Sequence, residues 1–140
     1  MSDYIRRKSV LIAEDELITR ELLSNHLESN GFRVTQVDNG QQAVDCFIGA
    51  LFNSKPFGLV FLDINMPEMD GHSALKKIRK IENLYMSKDF EKTFAFIMSA
   101  FNTFENRIAA FSQGECDSFL SKPITSNIID QTLRNQRLMF

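Results

Sequence analysis

Residues Leu59–Gly71 read LVFLDINMPEMDG. Leu59–Leu62 is a continuous apolar run closed by an acidic residue, Asp63. A run that short, bounded by turn chemistry, reads as a fully buried strand. Met66–Gly71 then reads as a loop, because Pro67 lacks a backbone donor and Asp70-Gly71 is a turn pair. Beyond it, Ala74, Ile78 and Ile81 recur at helical spacing, so a helix is expected from about Ser73. A strand apolar on both faces needs helices to cover it, which points to parallel pairing.

The same unit repeats in both directions. Upstream, Ser9–Ala13 (SVLIA) is a second short apolar run, stopped by Glu14 and Asp15. Leu17–Ser29 follows as a helix, with Ile18, Leu22, Leu23 and Leu27 at helical spacing and Gly31 as its stop. Phe32–Val37 alternates apolar and polar residues as a strand. Gly40–Leu51 carries Ala43, Val44, Phe47, Ile48 and Leu51 on one helical face, and Asn53–Pro56 is a turn. Downstream, Asn83–Lys92 is polar and unpatterned, a surface connection. Phe94–Met98 is the fourth strand. Thr103–Gln113 places Phe104, Ile108 and Phe111 on one side of a fourth helix that Gly114 ends. Asp117–Leu120 is a short fifth strand, Pro123 breaks the chain, and Ile128, Ile129 and Leu133 mark a fifth helix. Five strand–helix units predict an α/β fold: a parallel sheet with helices on both faces and right-handed crossovers.

Composition sets the outer limits. The chain has 140 residues, 44% hydrophobic and 24% charged, in the range of an ordinary globular domain. A single domain over residues 1–140 is expected, with its core at about 9–135. The net charge of −2 argues against a surface that grips nucleic acid or anionic lipid. No stretch is long enough to span a membrane, and the apolar run after Arg6, Arg7 and Lys8 is too short for a signal peptide. Cys46 and Cys116 form neither a disulfide framework nor a zinc pattern, and read as two buried thiols in a reducing cytoplasm. One excess is left over: 13 phenylalanines against 2 tyrosines and no tryptophan.

In open parallel sheets, functional groups collect beyond the carboxyl ends of the strands. Glu14 and Asp15 follow the first strand, Asp63 ends the third with Asn65 just after, Ser99 follows the fourth and Lys122 the fifth. Any one of these has an ordinary structural reading: a helix cap, a turn serine, a surface lysine. Together they crowd three carboxylates at one edge, which repel one another and resist joint ionisation. A divalent cation would offset that repulsion, and Mg²⁺ suits an oxygen-rich site that keeps several waters. Asp63 is then the candidate nucleophile of a phosphoryl transfer, with Lys122 and Ser99 holding phosphoryl oxygens. No general base is needed, because a carboxylate is already deprotonated at neutral pH.

The stretches VLIAED (Val10–Asp15), LVFLDINMPEMDG, MSA (Met98–Ala100) and DSFLSKPI (Asp117–Ile124) resemble, in order and spacing, the CheY-like receiver domains of two-component response regulators. The resemblance implies a flavodoxin-like (βα)5 fold with strand order 2-1-3-4-5. It implies that Asp63 is the phosphoacceptor, supplied by a histidine kinase or histidine phosphotransfer protein. Glu14, Asp15 and Asp63 would hold Mg²⁺, or Mn²⁺, together with the backbone carbonyl of Asn65. Lys122 would precede a cis proline, Ser99 would be the switch hydroxyl and Phe119 the aromatic switch. Phosphorylation would draw Ser99 inward, rotate Phe119 and reshape the face formed by the fourth helix, fifth strand and fifth helix for a downstream protein partner. Such a domain promotes only its own phosphorylation and dephosphorylation and is not otherwise an enzyme.

Two positions depart from the family pattern. Phe119 lacks the hydroxyl of the commoner tyrosine, so any switching there is steric. Phe101 is bulky and is expected to shield the phosphoryl group from water. No helix-turn-helix or other output domain is expected, so the chain is read either as a stand-alone receiver or as a receiver cut from a larger protein, without direct nucleic-acid contact. Homodimerisation through the switch face stays open. Two rivals remain: a receiver-like interaction module indifferent to phosphorylation, and a Mg²⁺-dependent phosphatase of the haloacid dehalogenase type. The phosphatase is disfavoured because Asn65 stands where its general acid belongs.

Overall fold

The computed structural model describes residues 8–86, 91–100, 108 and 116–139. Five strands form one parallel sheet: β1 (Ser9–Ala13), β2 (Arg33–Val37), β3 (Leu59–Asp63), β4 (Phe94–Ser99) and β5 (Ser118–Ser121). Their order is β2-β1-β3-β4-β5, the expected one. Four helices are described: α1 (Leu17–Ser29), α2 (Gly40–Phe52), α3 (Gly71–Tyr85) and α4 (Ser126–Asn135). The expected fourth helix, with Phe101 and Phe104, lies outside the described residues apart from Ile108, which is helical and half exposed. The expected fifth helix is therefore α4.

Alternation along the strands builds the two cores. In β1, Leu11 and Ala13 face α2 and α3, whereas Val10 and Ile12 face α1 and α4. In β3, Val60 and Leu62 join the first layer, Leu59 and Phe61 the second. Every residue of β3 is buried, as its uninterrupted apolar pattern requires. Phe61 and Phe96 are register partners on β3 and β4, and their rings stack at 4.4 Å between centroids. Together with Phe47 they are among the largest fully buried side chains, which accounts for part of the phenylalanine excess. Truncating one of them to alanine would cost about 3–5 kcal/mol.

Several boundaries differ from expectation for identifiable reasons. The Asp70-Gly71 pair is a helix start rather than a free turn: Asp70 accepts a hydrogen bond from the Ser73 backbone N–H at 2.7 Å, and α3 begins at Gly71. At its other end α3 runs on to Tyr85, through part of the stretch expected as a connection. Glu82 anchors that last turn through a buried ion pair with Arg79 at 2.8 Å. In α1, Leu23 and Leu27 are buried but Ile18 and Leu22 are exposed, so only half of its apolar arc faces the sheet. Cys116 is buried, but Cys46 is only half-buried. The α1 stop is as expected, with Gly31 at a φ of 88°.

Candidate functional site

The strand order places the site. β1 and β3 are neighbours, with Ala13 opposite Leu62, so the next residues, Glu14 and Asp63, leave the sheet side by side. β4 lies on the other side of β3, with Asp63 opposite Met98. β5 flanks β4, with Ser99 opposite Ser121. The connection order reverses between β1 and β3, where open α/β sheets form their crevice. Backbone hydrogen bonds extend the ladders one step into it: Glu14 N–H to Val37 O at 3.1 Å, Ile64 N–H to Met98 O at 2.9 Å and Lys122 N–H to Ser99 O at 2.8 Å.

Glu14, Asp15 and Asp63 converge, with one carboxylate oxygen from each lying within 4.8 Å of the others. Glu14 is wholly buried, Asp63 nearly so, and Asp15 is exposed. Lys122 closes the group: its Nζ donates to Glu14 Oε1 at 2.5 Å and to Asp63 Oδ2 at 3.1 Å. The other oxygen of Asp63, Oδ1, accepts the Asn65 backbone N–H at 3.2 Å. The repulsion expected among the three carboxylates is therefore partly neutralised by Lys122 even without a cation.

The electrostatics follow from this packing. Burial raises the pKa of Glu14, the neighbouring Asp63 raises it further, and Lys122 opposes both. Burial and Glu14 likewise raise Asp15. Burial alone would lower Lys122, but the carboxylates of Glu14 and Asp63 outweigh it and hold the ammonium above its ordinary value. The donor set fits a hard cation: three carboxylates, all oxygen, with two of them reluctant to ionise without added positive charge.

Ser99, Phe119 and Asn65 lie on β4, on β5 and in the loop after β3. Ser99 is buried at the end of β4, one residue past the partner of Asp63. The Lys122–Pro123 peptide is cis. Phe119 is half-buried on β5 and packs against the α2–α3 core layer. Asn65 is exposed in the loop after β3.

Two contributors were not singled out in the sequence. Gly71 is one: a Cβ there would lie 2.4 Å from the backbone O of Asp63, so only glycine lets α3 start this close to the site. Its signal in the sequence is the Asp-Gly pair, which by itself suggests a turn. The other is a buried network. Arg79 donates to Glu82 Oε1, to Thr93 O at 2.7 Å and to Asp117 Oδ2 at 2.9 Å, tying α3 to the start of β4 and the approach to β5. Asp117 Oδ2 also accepts the Ala95 N–H at 2.8 Å. These partners are scattered along the chain and share no motif.

Fold and site together define an α/β domain with an acidic cleft beyond the carboxyl ends of its strands. A family model, the response regulator receiver domain, matches residues 10–134. The peroxide stress-activated histidine kinase mak1 of Schizosaccharomyces pombe is 34% identical over 119 residues, covering 84% of this chain and 7% of that kinase. The two-component response regulator ORR11 of Oryza sativa is 33% identical over 116 residues, covering 82% of this chain and 71% of the regulator. Among solved structures, the receiver domain of the histidine kinase CKI1 from Arabidopsis thaliana, complexed with Mg²⁺ and BeF₃⁻, superposes with a TM-score of 0.75. It is 28% identical and covers 92% of this chain and 91% of that one. The chain belongs to the response regulator receiver domain family, the phosphoacceptor module of two-component phosphorelays. It spans only 6–8% of the length of the histidine kinases it matches. No helix among the described residues is long and apolar enough to cross a membrane.

Proposed function

We propose that Asp63 is the phosphoacceptor of this receiver, and that a histidine kinase or histidine phosphotransfer protein supplies its phosphoryl group. An Asp63 carboxylate oxygen attacks phosphorus, the P–N bond to the donor imidazole breaks, and the electron pair returns to the ring nitrogen. Glu14, Asp15 and Asp63, with the backbone carbonyl of Asn65, would hold Mg²⁺, or Mn²⁺ in its place. A bound cation would shield the charge of the phosphoryl oxygens. Lys122 offers its ammonium to one of those oxygens and Ser99 its hydroxyl to another.

The observation that carries this reading is the placement of Lys122 Nζ between Glu14 and Asp63. An ammonium already spanning the acceptor carboxylate and its neighbour needs little movement to meet a phosphoryl group on Asp63. The Mg²⁺ in the Arabidopsis receiver complex supports the same choice of ion. On this reading residues 1–140 form one receiver domain that works in the cytoplasm and turns over no separate substrate. It signals to a protein partner through the β5–α4 side, with Phe119 as a steric switch, and contacts no nucleic acid itself.

Incubation with Mg²⁺ and acetyl phosphate, followed by intact mass, tests the proposal. Wild type should gain one phosphoryl group and Asp63→Asn none. A wild type that stays unlabelled, under conditions that label another receiver, would point to the phosphorylation-independent interaction module. Turnover of a generic phosphomonoester would point to the phosphatase.

A further inference from the structure

Both backbone polar groups of Glu14 are tied to neighbouring elements. Its N–H donates to Val37 O on β2 at 3.1 Å, and its carbonyl accepts from Arg20 Nη1 on α1 at 2.8 Å. Arg20 is in turn held by Gln36, the residue before Val37: Arg20 Nε donates to Gln36 Oε1 at 3.3 Å. Gln36 Nε2 donates to Ser24 Oγ at 3.0 Å, and the buried Ser24 hydroxyl donates to Glu28 Oε1 at 3.2 Å. The result is a circuit from β1 through α1 to β2 and back. The Glu14 carbonyl belongs to the peptide that joins Glu14 to Asp15. The orientation of that peptide plane sets the direction in which the chain leaves Glu14, and so where the exposed Asp15 stands relative to the buried Glu14 and Asp63.

We propose that Arg20 is a positioning residue for the cation site: its guanidinium fork locks the Glu14–Asp15 peptide so that the two carboxylates meet Asp63. The inference rests on the reading that this acidic group binds Mg²⁺. Arg20 has two opposed effects. Its positive charge disfavours a nearby cation, whereas its fixed fork organises the ligands. The side chain is half-buried, so solvent and salt screen the charge. The hydrogen bond to the Glu14 carbonyl acts at contact and escapes that screening. A planar guanidinium can serve Glu14 and Gln36 together, which a lysine ammonium cannot do with the same geometry. Positioning therefore dominates.

The test is Mg²⁺ binding to the full chain by titration calorimetry, with acetyl phosphate labelling over the same range of Mg²⁺ concentrations read by intact mass; the two midpoints should shift together. Arg20→Ala should raise the Mg²⁺ concentration for half-maximal labelling by roughly tenfold, the low end of what losing an outer partner of a metal ligand costs. Its plateau at saturating Mg²⁺ should match wild type. Arg20→Lys should recover part of the shift. Gln36→Ala, which leaves every charge in place, should shift the midpoint in the same direction by less. A lowered plateau with an unchanged midpoint means a merely structural role and overturns the proposal. So does a tighter midpoint in Arg20→Ala, because charge repulsion would then dominate. A wild type whose labelling ignores Mg²⁺ sinks the cation reading itself, and the positioning role with it.

Discussion

Lys122 and Glu14, 108 positions apart in the chain, are joined by a 2.5 Å hydrogen-bonded ion pair, and the Glu14 carboxylate is wholly shielded from solvent. A buried carboxylate is tolerable only when a partner compensates its lost hydration. The residues just past β1 and β5 are thereby joined at the cleft, with Asp63 as the third member.

Removing the ammonium should therefore be costly. Lys122→Met keeps most of the side-chain volume but strands Glu14 and Asp63. It should lower the stability of the metal-free protein by about 3 kcal/mol near neutral pH. The loss should shrink in mild acid, where Glu14 takes up a proton. Urea denaturation at both pH values checks this, and an equal loss at both would contradict the pairing.

The raised carboxylates set the sign of the pH dependence. Glu14 and Asp15 bind protons more readily in the folded protein than at their ordinary values of 4.5 and 3.8. Their contribution to stability is full below those ordinary values and is lost as pH rises through the folded pKa values. Metal-free wild type should therefore gain stability relative to Glu14→Gln as pH falls from neutral. Mg²⁺ affinity should fall over the same window, because the cation needs both groups ionised. Lys122 behaves alike at the alkaline end: its raised pKa keeps its contribution intact below 10.5 and loses it only above. Paired denaturation curves with and without Mg²⁺ measure both trends.

Asp63→Asn should reverse its rank with metal. Without Mg²⁺ it removes one of three carboxylates around a single ammonium, and the shorter Lys122–Glu14 contact survives. A small gain, under about 1 kcal/mol, is expected, since Lys122 already offsets part of the repulsion. With saturating Mg²⁺ the wild type should be the more stable of the two. Melting temperatures in chelator and in Mg²⁺ decide the matter.

Gly71→Ala should damage fold and site together. Its Cβ would meet the backbone of Asp63, which cannot step aside as a flexible side chain can. A stability loss of about 2–3 kcal/mol is expected, with slower labelling at saturating Mg²⁺. Arg79→Met supplies the contrast. It leaves Glu82 and Asp117 without their cation and should cost about 3 kcal/mol, yet leave the Mg²⁺ midpoint of labelling unchanged.

How much of this was legible in the chain depended on locality. The strand–helix alternation and the residues at each strand end could be read directly, because burial on both faces leaves an unbroken apolar run and the next polar residue marks its end. Asp63, Glu14, Ser99 and Lys122 were all found this way. The exposed side of α1 was not. Positions 18, 22, 23 and 27 spread over roughly 180° of helix, at 3.6 residues per turn, and sequence periodicity does not say which half meets the sheet. The double anchorage of Lys122 was also invisible, because its partners lie far away in the chain. The same holds for Arg79, Glu82 and Asp117, whose identities alone suggest only surface charge.

The most direct test of the central claim is to locate the phosphoryl group itself. Borohydride reduction of the acetyl phosphate-treated protein converts an aspartyl phosphate to homoserine, which peptide mass spectrometry places by residue. We expect homoserine at position 63, dependent on Mg²⁺ and absent in Lys122→Met. Homoserine at another acidic residue, or labelled protein with none at position 63, would contradict the assignment of Asp63 as the acceptor.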